Sequence, residues 1–263
     1  MPTLEARGVE IAWSERGRGS PVLLIHETAV TQAVWEHLAE ALARELRPIA
    51  YDRRGWGASS EPDDYRRTTI EEQSEDAASV VEATVDAPAI VCGAGVGAVI
   101  ALDLMLRRGE LVSAAALIEP TLLQLTPLAT EALSEDRHRI EIAAGNRENV
   151  IDVYLSGGLP ALGPGVTRMP SEAAEAARAR PRSVVAELGI SAAWRMPLPQ
   201  LASAGRPSAI ITSESTPPLL RDAAHSLGVR LARSATHEVS SPEEPPHVGG
   251  AAEVASIVAE LSS

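Results

Sequence analysis

Apolar residues along this 263-residue chain come in short bursts whose spacing switches between two periods. Residues 3–16 read as two short strands around a turn at Gly8, and the second, Val9-Glu10-Ile11-Ala12-Trp13, alternates with period two. Val22-Leu23-Leu24-Ile25 is a continuous apolar run, the signature of a strand covered on both faces. Val34, Trp35, Leu38, Leu42 and Leu46 then recur at helical spacing, and Pro48-Ile49-Ala50-Tyr51 follows as another buried strand. A Thr68 or Thr69 cap with Glu71 or Glu72 three residues on opens a helix with Ile70, Ala77, Val80 and Val81 on one face. Ala89–Cys92 is the next strand, Val96–Arg108 an apolar helix stopped by Gly109, and Ala114–Ile118 a strand again. Strands alternating with helices in this way predict a parallel, doubly wound α/β sheet with ligands at the carboxyl ends of its strands.

The rhythm breaks over residues 121–200, where helical segments mix with Gly-Pro-rich stretches at 157–160 and 163–165. Such a segment reads as an inserted helical cap. Alternation resumes with strand Ser208–Thr212, helix Leu219–Leu227, strand Val229–Ala232 and a closing helix Ala251–Leu261, the last preceded by a Pro- and Glu-rich loop at 240–250.

Composition narrows the classes. Hydrophobic residues are 45% and charged residues 22%, which fits a globular chain and excludes a disordered or collagenous one. The formal net charge is −13 with no basic block to offset it, so nucleic acid and anionic membrane are poor partners. Residues 1–20 hold Glu5, Glu10, Glu15 and several Arg without an apolar stretch, which argues against a secretory leader and for the cytoplasm. The single cysteine, Cys92, cannot form an internal disulfide, and no His or Cys spacing suggests a zinc site. The chain has no Lys and no Phe, a compositional bias that strips scattered Arg and Ala of meaning.

His26 directly after a buried strand, Tyr51-Asp52-Arg53-Arg54-Gly55-Trp56-Gly57-Ala58-Ser59, the turn Gly93-Ala94-Gly95-Val96-Gly97, Glu119-Pro120 and Thr236-His237 occur in that order. Their order and separation resemble the α/β-hydrolase superfamily over nearly the whole chain. The resemblance implies the α/β-hydrolase fold: a mostly parallel, doubly wound eight-stranded sheet, with a core at 1–120 and 201–263 and a helical cap at 121–200. It also implies that Asp52, Arg54 and Trp56 tie down the loop after the fourth strand.

The family's chemistry uses a serine at the centre of a sharp strand-to-helix elbow, G-x-S-x-G. Gly95 stands there instead, and a glycine has no atom that can attack an acyl carbon. Gly95 also releases the backbone strain that a nucleophile at this turn carries. Val96, at the helix start, still favours an anion with its amide. Beside His26, where the family keeps a small residue, the chain has Glu27 and Thr28; a carboxylate there would repel a developing oxyanion. Glu27 reads either as a solvent-facing or helix-capping side chain, or as a general acid, general base or substrate anchor. His237 matches the family's catalytic histidine by its place after the last expected strand, with Glu119 or Glu214 as its orienting acid; Thr216 stands where the family often has Asp. His26 reads as structural or pocket-lining, and Cys92 as a small buried hydrophobe rather than a nucleophile. The remaining histidines, His37, His138, His225 and His247, lie on expected helices or loops without metal-ligand spacing.

Two functions follow. One is a cofactor-independent, metal-free enzyme of the kind this fold supplies to secondary metabolism, in which His237, Glu27 and Glu119 or Glu214 move protons in a pocket lined by His26, Thr28, Gly95, Val96, Tyr154 and Trp194. The other is a non-catalytic binder that keeps pocket and cap. The expected partner in both is a small molecule, with a homodimer left open.

Overall fold

The computed structural model describes residues 1–146 and 149–262. Eight strands form one sheet: β1 (Thr3–Ala6), β2 (Val9–Glu15), β3 (Pro21–Ile25), β4 (Arg47–Tyr51), β5 (Ala89–Ala94), β6 (Val112–Ile118), β7 (Ser208–Ser213) and β8 (Ser234–Val239). Their spatial order is β1-β2-β4-β3-β5-β6-β7-β8; β1 and β2 are antiparallel and every pair from β4 to β8 is parallel. The expected sheet is present.

The continuous apolar runs explain how it packs. Alternate residues of one strand point to opposite faces, so Leu23 and Ile25 enter the layer beneath α2 (Ile70–Thr84) and α3 (Val96–Arg107), while Val22 and Leu24 enter the layer beneath α1 (Glu36–Leu42). Thr69 caps α2 by accepting from the Glu72 amide, 3.1 Å away. Between β6 and β7 lie α4 (Leu128–Asn146), α5 (Val150–Leu155), α6 (Glu172–Ala179), α7 (Pro181–Glu187), α8 (Ile190–Ala193) and α9 (Leu198–Leu201). The insertion is anchored by a cluster in which Tyr154, Leu159, Val166 and Val184 meet core residues Ala29 and Trp56. After β7 come α10 (Pro218–Arg230), then β8, α11 (Pro246–Gly249) and α12 (Ala251–Glu260).

One boundary departs from the expectation. Val229 and Arg230 finish α10, and the last strand runs over Ser234–Val239. A Val-Arg-Leu-Ala run reads as a strand by propensity, but here it ends a helix whose other face is already buried through Leu220, Ala223 and Leu227. The shift moves the end of the last strand past His237.

Candidate functional site

The carboxyl ends of β3, β5, β6 and β7 converge with the loop after β8 beneath the insertion, where ligands gather in doubly wound sheets. A narrow cavity of about 40 Å³ lies there, lined by Glu27, Thr28, Gly95, Val96, Thr121 and Tyr154 among others. That is room for a few water molecules.

Gly95 keeps the elbow geometry, with φ +56° and ψ −119°, a region a side chain enters only under strain. Gly93 and Gly97 are required by close packing: a β-carbon on Gly97 would lie 2.0 Å from the Ile25 carbonyl oxygen. A β-carbon built on Gly95 would lie 3.0 Å from Glu27 Cβ and 3.1 Å from Glu27 Oε2. The Glu27 side chain therefore packs against the face of Gly95 from which a nucleophile would project.

Glu27 is mostly buried, with its side chain 18% exposed, and Oε1 lies 3.7 Å from Nε2 of His247. His247, on α11, is buried beside Trp35, ring centroids 4.7 Å apart. Neither of its ring nitrogens has a hydrogen-bond partner among the described residues. Burial, with the repulsion of Glu119 second, pushes the Glu27 carboxyl up to about 8, against the weaker pull of Arg168 and Arg53. Burial and then Arg168 push His247 down to about 3. The directions agree: near neutral pH the pair holds one proton, on Glu27, and the imidazole is uncharged. Burial thus favours the neutral carboxyl, which can donate where a carboxylate would repel.

The structure does not bring His237 to this place. It lies inside the edge strand β8, paired in register with Ile211, and lines an outer groove with Arg221 and His225. Its assignment rested on a misplaced strand end, and His247 holds the position after the true one. Glu214 is exposed; it accepts from the Ser241 amide at 3.0 Å, which holds it below the usual carboxylate range and braces the loop leading to His247. Glu119 is buried at the end of β6 but faces other partners: Oε1 accepts from Thr216 Oγ1 at 2.6 Å, and Oε2 pairs with Arg168 of the insertion at 2.5 Å. Among the described residues, neither acid hydrogen-bonds to His247.

His26 lies beneath the cavity without lining it. Its Nε2 accepts from the Arg53 amide at 3.0 Å, so Nδ1 carries the proton and donates to the Glu27 carbonyl at 2.7 Å; burial and then Arg53 hold it well below the usual imidazole range. Trp194 also stands outside, its indole donating to Asp103 of α3 at 3.0 Å. Thr28, Val96 and Tyr154 do line the cavity, as does Gly95. Thr28 donates to Glu187 Oε2 at 2.6 Å, and burial and then Glu27 raise the Tyr154 phenol. Cys92 is buried and its thiol pushed up to about 12 by desolvation, so no thiolate forms near neutral pH.

Asp52, Arg54 and Trp56 serve the fold: Asp52 accepts from the Gln32 and Ala58 amides, Arg54 pairs with Asp76 at 2.5 Å, and the Trp56 indole donates to Glu187 at 2.8 Å. Sequence reasoning missed His247, Arg168 and Glu187. His247 was legible as the histidine just ahead of the closing helix; Arg168 and Glu187, in the insertion between β6 and β7, left no local signal.

A family profile described as the alpha/beta hydrolase family matches residues 22–252, and the chain belongs to that family. The uncharacterized hydrolase YraK of Bacillus subtilis is 36% identical over 123 residues, 47% of this chain and 45% of that protein. The chain's match thus spans under half the length of this curated relative. Among solved structures, an alpha/beta hydrolase from Sphaerobacter thermophilus superposes with a TM-score of 0.73 at 23% identity over the full length of both chains. A thermophilic esterase from Thermogutta terrifontis gives a TM-score of 0.75 at 19% identity, covering 98% of this chain and 95% of that one. These likenesses show the fold. Among the described residues, no helix is long and apolar enough to cross a membrane, and no three His, Cys, Asp or Glu side chains cluster to hold a metal.

Proposed function

We propose that this member of the alpha/beta hydrolase family is an enzyme acting on a small organic molecule by acid–base chemistry between Glu27 and His247, with no covalent intermediate at position 95. One observation carries the reading: the Glu27 carboxyl packs against Gly95 and faces His247 Nε2 at 3.7 Å. The pair holds one proton in a largely buried site. Glu27, which lines the cavity, can deliver that proton to a carbonyl or leaving-group oxygen and take one back from water or substrate carbon, with the buried His247 behind it as the neighbour that holds the carboxyl in place. Hydrolysis by a bound water, ring closure, elimination and isomerisation all use that exchange. The Val96 amide at the start of α3 supports charge developing on the substrate oxygen. General acid and base groups contribute about 10²–10⁴-fold each, so a missing serine does not mean a missing enzyme.

A non-catalytic binder is the second reading. It is favoured by His247 Nδ1, which lacks the carboxylate that orients a catalytic imidazole.

Screening esters and lactones for turnover, with thermal shift in parallel, separates the two. His247→Ala should lower turnover at least 100-fold while ligand-induced stabilisation persists, and His237→Ala should leave turnover unchanged. Covalent capture of the wild-type chain by a fluorophosphonate, or turnover lost in His237→Ala instead, would overturn the reading.

A further inference from the structure

Glu27 is bracketed by a ring of contacts that passes through the insertion. Arg53 Nε donates to the carbonyl of His26 at 2.8 Å, and both of its terminal nitrogens bind Glu187 of α7, at 2.7 and 2.9 Å. Glu187 Oε2 in turn accepts from the Thr28 hydroxyl at 2.6 Å. The residue before Glu27 and the residue after it are thus held by the two members of one ion pair whose side chains are fully buried. The next residue, Ala29, sits at φ +68°, a left-handed conformation that a non-glycine residue keeps only when its surroundings fix it. Trp56 and Gln73 complete the Glu187 shell at 2.8 and 3.3 Å.

We propose that Glu187 is a positioning residue, reaching from the insertion to close this ring and aim the Glu27 carboxyl at His247. The inference rests on the acid–base reading for its purpose but not for its test. The charged and titratable groups around Glu27 are Glu119, Arg168, Arg53, His247 and Tyr154, and the ring decides how closely the carboxyl is held among them.

Thr28→Val opens the ring while leaving Arg53 and Glu187 paired, so it tests the link without stranding a buried charge. Carbon-13 NMR of labelled glutamate carboxyls, with the Glu27 signal assigned by its loss in Glu27→Gln, reads the titration of Glu27 directly. In Thr28→Val the midpoint should fall by about one pH unit or more as the loosened carboxyl meets water, and Thr28→Ser should restore it. On a substrate found in the screen, Thr28→Val should lower kcat by about 10–100-fold with KM nearly unchanged. A Glu27 midpoint that stays put in both Thr28→Val and Glu187→Gln, whatever their melting temperatures, overturns the proposal. If the wild-type chain turns nothing over, the functional reading falls while the titration still judges the ring.

Discussion

At Gly95 two facts reinforce each other: the backbone sits where side chains are strained, and the space a side chain would need is taken by Glu27. Gly95→Ser should therefore destabilise the protein by about 1–3 kcal/mol and give little esterase activity. Urea unfolding midpoints at constant slope check the first part, and a burst assay with an activated ester the second; a stabilised variant with a strong burst would show that Glu27 readily yields the space. The proton that Glu27 holds beside His247 makes a second prediction. Glu27 titrates higher in the folded chain, about 8 against 4.5, so its contribution is present below pH 4.5 and lost as pH rises to 8. His247 titrates lower, about 3 against 6.5, so its contribution is present above pH 6.5 and lost as pH falls to 3. Together these two groups make stability rise from pH 3 to 4.5, stay level to 6.5 and fall to 8. Glu27→Gln should remove the fall between pH 6.5 and 8, which chemical denaturation across that range would detect.

Among the secondary-structure elements, the boundary between α10 and β8 decided which histidine reaches the site. Patterns of two or three apolar residues do not distinguish a helix end from a short strand, and an error of that size pointed the sequence reading to His237, while His247 is the histidine that lies 3.7 Å from Glu27. The insertion behaves differently, because its helices are joined to the core by buried charges. The Arg53–Glu187 pair has no solvent on either side chain, so removing one partner leaves the other uncompensated. Arg53→Met should cost about 3–5 kcal/mol, and Arg53→Met combined with Glu187→Leu should recover much of it. A double-mutant cycle that includes Glu187→Leu alone, read by urea denaturation, measures this; losses that simply add in the double variant would mean that the two side chains do not hold each other.

For the molecule as a unit, the acidic balance sets what approaches, and the cavity of about 40 Å³ must widen beneath the insertion before an organic molecule fits. The sheet was legible because its central strands carry apolar runs and each glycine of the elbow its own steric demand; β8, Ser-Ala-Thr-His-Glu-Val, carries no such run, and the expected strand at 229–232 falls on the end of α10. Gly95 and Glu27 stood out in the sequence as departures at fixed places in a motif. Thr28, Val96 and Tyr154, expected in a pocket from the sequence, line the cavity. His247, Arg168 and Glu187 were not, since Glu187 lies 134 positions from Arg53 and 159 from Thr28. The sequence by itself determined the order of strands and helices and the vacancy at the elbow, because periodicity and the absence of a side chain are local properties. Only the tertiary structure decided which histidine faces Glu27, which acids pair elsewhere, and how a cap carboxylate grips the loop beside the site. Those depend on burial and on contacts between distant segments, which chain order does not encode one residue at a time.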